Sequence, residues 1–444
     1  MSERMRILLA VHQFFPQFRA GTETLTLRTA EELIRRGHRL WVLTAGPHDP
    51  AHPPLRRDAW QGLPLIRFNP PPDPPPLAGG LAFSYRRPSS ERLFRRLLEE
   101  LQPDLLHWFH LRRHSLSLVD AAAAAGVPVV ASLTDYWFGC PTGQLQFPEQ
   151  QPCAGPQLDG ANCLRHLGDK LLPGLAAVPS PLWRLLMAVG GRLPFGPLRA
   201  LRRRPEAMAR ALALSERVLV PSALMWRTFE QLGLETQRFE CCPYGLDLGG
   251  LAALPPRQAW RGPDQRPLRI GFIGNITRPK GAHVLLEALA RLGPSFEVEL
   301  QLYGNPDDDP AYAAGLRELA RDLPQVHWAG LFASSEVFAV LAQLDLLVVP
   351  SLWRENAPLI LLQALASGVP LLLSDVEGMA DQVQVGRNAE LFPPGDSQTL
   401  AERLLGFQRQ PQRLAALVNR GGEPRTIADY GQQLEQLYAR LQRG

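Results

Sequence analysis

No stretch of the chain approaches 18 uninterrupted apolar residues, so the sequence offers no membrane-spanning helix. It also lacks a basic leader followed by a short apolar run. Met5 to Val11 reads as a first β-strand instead, and the expected location is the cytoplasm. Cysteine is scarce, 5 in 444 residues, and structural disulfides are not expected in that compartment. Charge of one sign is scarce too: 47 basic groups against 43 acidic ones leave +4, too little to argue for a nucleic-acid partner. The arginines nevertheless gather locally, at Arg86–Arg87, Arg112–Arg113 and Arg202–Arg204. Such clusters are either solvated surface or contacts for an anionic substrate or lipid.

What the chain does have is apolar content of 45% with 20% charged residues, enough for full cores in the two or three domains its length suggests. Its 43 prolines concentrate near 47–76 and 171–205, which predicts irregular insertions on a regular framework. The segment 47–90 is expected to be a loop on the acceptor side rather than core. Insertions are placed at about 47–90 and 136–205.

The stretch Leu344 to Asp375 organises the rest, with a layout of strand, loop, helix and strand. Leu346 to Val349 and Val369 to Leu373 are short continuous apolar runs, the pattern of parallel strands buried on both faces. Pro358 suits the first helical turn, and Gly368 followed by Pro370 stops the helix. Its N-terminus then opens on Asn356, Ala357, Pro358 and Leu359, where free N–H groups favour a phosphate. Glu355 in the loop and Gln363 in the helix stand eight residues apart as acceptors for neighbouring hydroxyls. Each also has a plainer reading, a solvated carboxylate and a surface amide.

A βαβ unit opens the chain: strand Arg6 to Ala10, a loop from His12, and a helix beginning near Gly21 with Thr22 as the expected N-cap. A second βα opening follows Leu268 to Phe272, with Gly274, Asn275, Arg278 and Lys280 before its helix. Two such starts in one chain argue for two domains of similar build. Lys280 beside a glycine at a helix mouth suits a diphosphate. Strand Pro103 to His110 carries two histidines; His107 is expected to be packed, whereas His110, at the strand exit, is the active-site candidate. Asp135 ends the next strand.

Cys140, Cys153, Cys163 and His166 lie in a segment too poor in apolar residues to fold alone, and one structural Zn²⁺ could fix it. Unliganded or redox-sensitive thiols are the alternative. Residues 170–205 mix apolar and basic groups, either an interfacial segment for a membrane carrying lipid-linked acceptors or packed insertion helices.

Together these residues resemble the retaining GT-B glycosyltransferases of the GT4-like family (glycosyltransferase group 1). Glu355 and Gln363 stand where that family has Glu, seven residues, Glu. The segment Ala20-Gly21-Thr22-Glu23, after Phe15-Pro16, is similar to its Gly-Gly-x-Glu. Pro243-Tyr244-Gly245-Leu246-Asp247 resembles the hinge Pro-Asn-Gly-Val-Asp. Three departures stand out: Gln363 for Glu, Thr134 for the His of a His-Asp turn, and Asn275 for an Arg five residues before Lys280.

The resemblance implies an α/β GT-B fold, two Rossmann-like doubly wound domains facing each other across a cleft. The domains would be 1–250 (acceptor side), a linker at 251–267, 268–424 (donor side) and a helix at 425–444 crossing back. It also implies transfer from a UDP- or GDP-sugar to a saccharide or lipid-linked acceptor, without a catalytic metal. In this reading Lys280, Arg278 or Asn275 and the helix mouth meet the diphosphate, with Gly21 and Thr22 on the phosphate side. Glu355 grips sugar hydroxyls, Gln363 the ribose, and the turns at Gly304 and Leu331 the base. His110 and Asp135 line the acceptor face. A nucleotide-sugar-binding scaffold and a sugar epimerase on the same fold are the alternatives. Base, sugar, acceptor and oligomeric state are not legible.

Overall fold

The continuous apolar runs become strands covered on both sides. In the computed structural model, residues 4–72, 74, 80–146, 151–157, 160, 162–164, 167, 196–293, 296–417 and 424–442 are described. They fall into two units, unit 1 from Met1–Tyr244 with Ile427–Gly444, and unit 2 from Gly245–Thr426.

Unit 1 is built on eight strands: β1 Arg6–Val11, β2 Arg39–Ala45, β3 Leu55–Trp60, β4 Leu63–Phe68, β5 Leu105–Trp108, β6 Val129–Ser132, β7 Arg217–Val220 and β8 Phe239–Cys241. Their order is β3-β4-β2-β1-β5-β6-β7-β8, parallel except for the β3–β4 hairpin at one edge. The sequence of strands reverses direction between β1 and β5, so the loops after these two strands flank a switch point, where open α/β sheets take ligands.

The β3–β4 hairpin corrects the expectation of a loop over 47–90. Leu65, Ile66 and Phe68 are each about 1% exposed, and Ile66 and Phe68 join the core of the sheet. Only one proline, Pro64 near the start of β4, falls inside the hairpin strands, opposite Ala59, so alternation still forms an edge pair. A helix at Pro88–Leu101 follows, with its proline in the first turn. The C-terminal helix Ile427–Leu441 packs on helix Gly21–Arg35, where Arg36 bridges to Glu435 at 3.0 Å and to the Ala428 carbonyl at 2.7 Å.

Unit 2 has six parallel strands: β9 Leu268–Ile273, β10 Val298–Tyr303, β11 Val326–Gly330, β12 Leu346–Val349, β13 Leu371–Ser374 and β14 Ala389–Phe392. Their order, β11-β10-β9-β12-β13-β14, is the doubly wound one, with its switch point between β9 and β12. Alternate residues of β12 serve different cores: Leu346 and Val348 join one apolar cluster, Leu347 and Val349 another on the opposite face. That two-sided burial is why the run carries no polar residue.

Residues 251–267, linker-like in composition, belong to unit 2: Trp260 is buried there, and the Arg257 guanidinium donates to the carbonyls of Leu341 and Leu344. No helix among the described residues is long and apolar enough to cross a membrane. Much of the segment 170–205, including Leu182, Trp183 and Arg192, lies outside the described residues. Its end forms helix Gly196–Ala213, where Leu198 and Leu201 are buried and Arg202 and Arg203 exposed.

Candidate functional site

In unit 2 the loops after β9 and β12 are bound together at the switch point. The Leu352 N–H donates to the Pro279 carbonyl at 2.8 Å. Gly281 has φ 73°, and a Cβ there would stand 1.9 Å from the Pro350 carbonyl oxygen. Only glycine allows both the backbone turn and that approach. Lys280, in the short 3₁₀ turn Arg278–Lys280, is thereby delivered to Glu355. Its Nζ lies 2.7 Å from Glu355 Oε1.

The same carboxylate oxygen accepts from Ser351 Oγ at 2.7 Å and from Trp353 Nε1 at 2.9 Å. The Trp353 ring also lies beneath Lys280 Nζ, 5.2 Å from the centroid. Glu355 is 4% exposed, so this is a desolvated carboxylate held by three donors, one of them charged. A third loop closes from behind: the Glu355 N–H donates to the Glu377 carbonyl at 3.1 Å. Gly378, at φ 85°, leaves no room for a Cβ, which would lie 1.9 Å from the Glu355 carbonyl oxygen.

The helix beyond runs Leu359–Ser367 and ends on Gly368 in the left-handed region. Pro358 is its N-cap rather than its first helical residue, because its ψ of 118° is extended. Asn356 is buried, while Ala357, Pro358, Leu359 and Gln363 are half-buried. Asn275 and Arg278 are exposed. Gly304 packs so closely on the Gly274 carbonyl that a Cβ would lie 2.2 Å from it, and its N–H donates to the Gly330 carbonyl at 2.9 Å. These contacts hold the strand-end turns of β9, β10 and β11 together. Leu331 beyond them is 55% exposed.

Unit 1 assembles a polar cluster of its own at the β1/β5 switch point. His110, just past β5, is buried, and its Nε2 lies 3.1 Å from Asp135 Oδ2. Its Nδ1 accepts from the Arg112 N–H at 3.0 Å. That acceptor role places the ring proton on Nε2, donated to Asp135. Burial alone would raise the Asp135 carboxyl, but His110, the Trp137 N–H and Arg112 outweigh it and hold it below the usual range.

Thr22 donates to Thr134 Oγ1 at 3.0 Å. Thr22 is therefore not the helix N-cap; Ala20 holds that position without a side-chain bond, and Gly21 is exposed.

Of four further partners in these clusters, Ser351, Trp353 and His12 carry no signal in the sequence strong enough to single them out, whereas Glu23 ends the segment Ala20-Gly21-Thr22-Glu23. Ser351 and Trp353 precede Glu355 and read as ordinary loop residues. His12 and Glu23 meet beside His110: the His12 ring is 4.3 Å from that of His110, and its Nε2 is 3.6 Å from Glu23 Oε1. The distance is long for a hydrogen bond, and among the described residues neither Glu23 oxygen meets hydrogen-bond geometry. Burial is the leading cause in both: it pushes Glu23 up and, with His110, Arg112, Arg113 and His114 adding, His12 well down. At 3.6 Å we read a loose contact rather than a hydrogen-bonded pair. The acid at the third helical position was the available signal for Glu23.

His107 is packed, as its place inside β5 predicts. Its Nδ1 lies 2.6 Å from the Tyr438 hydroxyl and its Nε2 2.8 Å from Ser132 Oγ. Burial pushes it down to about 3.

The expected zinc set lies partly outside the described residues, since His166 is not among them. Cys140, Cys153 and Cys163 are buried, and burial pushes the Cys163 thiol up to about 12, with Cys140 and Cys153 adding. Among the described residues no group of three or more candidate side chains could hold a metal ion.

Comparisons with known proteins bear on both units. The family model for glycosyl transferases group 1 matches residues 267–409, and that for Glycosyltransferase Family 4 matches residues 19–152. The phosphatidyl-myo-inositol mannosyltransferase of Mycobacterium leprae (strain TN) is 29% identical over 185 residues, 41% of this chain and 47% of the relative. The putative colanic acid biosynthesis glycosyltransferase WcaL of Escherichia coli (strain K12) is 26% identical over 230 residues, 49% of this chain and 54% of the relative. The chain thus spans about half the length of the curated relatives it matches. Among solved structures, Anabaena Alr3699/HepE in complex with UDP and glucose matches with TM-score 0.65 at 16% identity, covering 98% of this chain and 100% of that one. At that identity the match shows a common fold, GT-B.

Proposed function

Because the chain belongs to the group 1 glycosyltransferases, the GT4 type, with their GT-B fold, we propose that it moves a sugar from a nucleoside diphosphate sugar to an acceptor hydroxyl. The anomeric configuration is retained and no catalytic metal takes part. The observation that carries this reading is the Lys280–Glu355 pair at the unit 2 switch point, held by Ser351 and Trp353.

The chemistry follows from charge. Breaking the bond to the diphosphate develops negative charge on the leaving oxygens, and a preorganised ammonium beside a helix mouth stabilises it. Lys280 supplies the ammonium, exposed Arg278 a second cation, and the backbone of Asn356 to Leu359 the dipole. Glu355, released from Lys280 as the diphosphate arrives, stays anchored on Ser351 and Trp353 and accepts from sugar hydroxyls. Gln363 serves the ribose as a neutral acceptor, and the turns at Gly304 and Leu331 serve the base. In unit 1, Gly21 and Thr22 stand on the phosphate side, and His110 and Asp135 line the acceptor face; His110 Nδ1 is already engaged, so we assign the pair to orientation.

The relatives named for mannosyl transfer and colanic acid biosynthesis, and the UDP-bound neighbour, support a UDP- or GDP-sugar donor. The names of the relatives also support an acceptor in glycolipid or polysaccharide assembly; we place its use at the cytoplasmic face of a membrane. The test is a thermal-shift screen of UDP-, GDP- and ADP-sugars, followed by donor turnover. Stabilisation by one donor with release of its nucleoside diphosphate is the expected result. The departures Asn275, Thr134 and Gln363 favour a second reading, a donor-binding scaffold: binding without release of diphosphate would select it. Sugar interconversion without an acceptor would select an epimerase.

A further inference from the structure

The loop that leaves β5 carries more positive charge than its surroundings balance. Two of its residues, Arg113 and Ser115, have φ of 72° and 61°, a conformation that non-glycine residues hold only when something else fixes them. The result is a fixed Arg113. Its guanidinium lies over the Phe18 ring, 5.3 Å from the centroid, and its Nη1 is buried with no hydrogen-bond partner among the described residues. Arg112 next to it is exposed.

The neighbouring acids do not meet this charge. Glu23 acts on Arg113, but among the described residues neither Glu23 oxygen hydrogen-bonds to its guanidinium. Asp135 feels Arg112, yet its oxygens are taken by His110 and the Trp137 N–H. Withdrawing a guanidinium from water without an anion is costly, and holding it with strained backbone adds to the cost. Two adjacent planar donor forks, one pinned on an aromatic face, match the oxygens of a phosphate group.

We propose that Arg112 and Arg113 form an anion subsite on unit 1 that takes a phosphate group carried by the acceptor. The anion site stands on the geometry of this loop; the word acceptor rests on the transfer reading above. The phosphate belongs either to a soluble phosphomonoester or to a lipid headgroup, and both present the same oxygens to the loop.

The experiment is titration calorimetry of the full chain with inorganic phosphate and with glycerol phosphate, beside flotation on vesicles of phosphatidic acid in phosphatidylcholine. Arg113→Gln is expected to weaken phosphate binding about tenfold or more, the loss of one charge-assisted pair. Glutamine is chosen because Gln61 and Gln102 already hold positive φ in this chain. Arg112→Gln, at an exposed position, repeats the measurement if Arg113→Gln does not fold.

UDP-glucose and GDP-mannose are titrated in parallel. An unchanged nucleotide affinity with reduced phosphate affinity supports the subsite; an equal loss of both assigns the loop to the donor and overturns it. Wild-type phosphate binding in the variants, or none in the parent, also overturns it. If phosphate binds as expected while neither nucleotide sugar binds the parent, the transfer reading fails and the anion site stands. Binding to glycerol phosphate but not to the vesicles assigns a soluble acceptor, and the reverse a lipid one.

Discussion

Lys280 and Glu355, 75 residues apart in the chain, meet at 2.7 Å with the carboxylate buried and the ammonium partly exposed. The pair is therefore asymmetric. Removing the lysine leaves a desolvated carboxylate with two neutral donors, whereas removing the acid leaves an ammonium that can turn to water.

Lys280→Ala is expected to lower transfer by roughly 10²-fold or more if the ammonium stabilises the leaving diphosphate. It should also cost stability by about 1–3 kcal/mol, the range for an orphaned buried polar group. Glu355→Gln should cost activity with little loss of stability. Urea denaturation of both variants checks the asymmetry, and equal destabilisation would contradict it.

Trp353→Phe keeps a ring beneath Lys280 but removes one of the three donors to Glu355. The sugar-binding carboxylate then loses orientation more than charge. A donor KM raised by about tenfold, the value of one hydrogen bond to a charged group, is the expected outcome. Steady-state kinetics at saturating acceptor measures it, and Trp353→Leu, which also loses the ring, should be worse.

Gly378→Ala places a methyl group against the Glu355 carbonyl and forces a left-handed backbone on alanine. We expect about 2–4 kcal/mol of destabilisation, since backbone rather than a flexible side chain must move. Gly386→Ala is the control. Gly386 shares the positive φ, but a Cβ added there would meet nothing within 4 Å. The difference in melting temperature between the two isolates the steric part.

His107 and His114 are buried, and burial pushes them down to about 3 and about 4. In the unfolded chain each takes a proton near pH 6.5, while in the folded chain each stays neutral. The unfolded state therefore binds more protons between these limits, so stability is fully present above about pH 6.5 and is lost as pH falls toward 4. At pH 5.5 the loss is about 1.4 kcal/mol per histidine. Denaturation of the chain at pH 7.5 and 5.5, with and without His107→Gln, reads it; a pH-independent midpoint would refute the assignment.

The central strands were legible because two-sided burial writes itself as an unbroken apolar run, as in Leu346 to Val349. Turns that need glycine, at Gly281 and Gly368, were legible for the same local reason. The hairpin β3–β4 was not, because proline-rich flanks mask four or five alternating residues and its Phe68 is buried only by partners such as Phe94, 5.0 Å away between rings. In the site, Lys280, Glu355, His110 and Asp135 could be named from motif and strand end. That Lys280 binds Glu355, or that Trp353 and Ser351 hold the same oxygen, depends on loops from different strands. No spacing in the chain encodes that.

Unit 2 is inserted into unit 1: its two ends lie together, with the Leu246 N–H donating to the Arg425 carbonyl at 2.9 Å. The helix that follows carries Tyr438, whose hydroxyl covers His107 in the middle of the first sheet. During synthesis the ribosome thus releases a whole second unit before it releases the piece that seals the first. His107 in the N-terminal sheet gains its Tyr438 partner only when the helix at Ile427–Leu441 emerges.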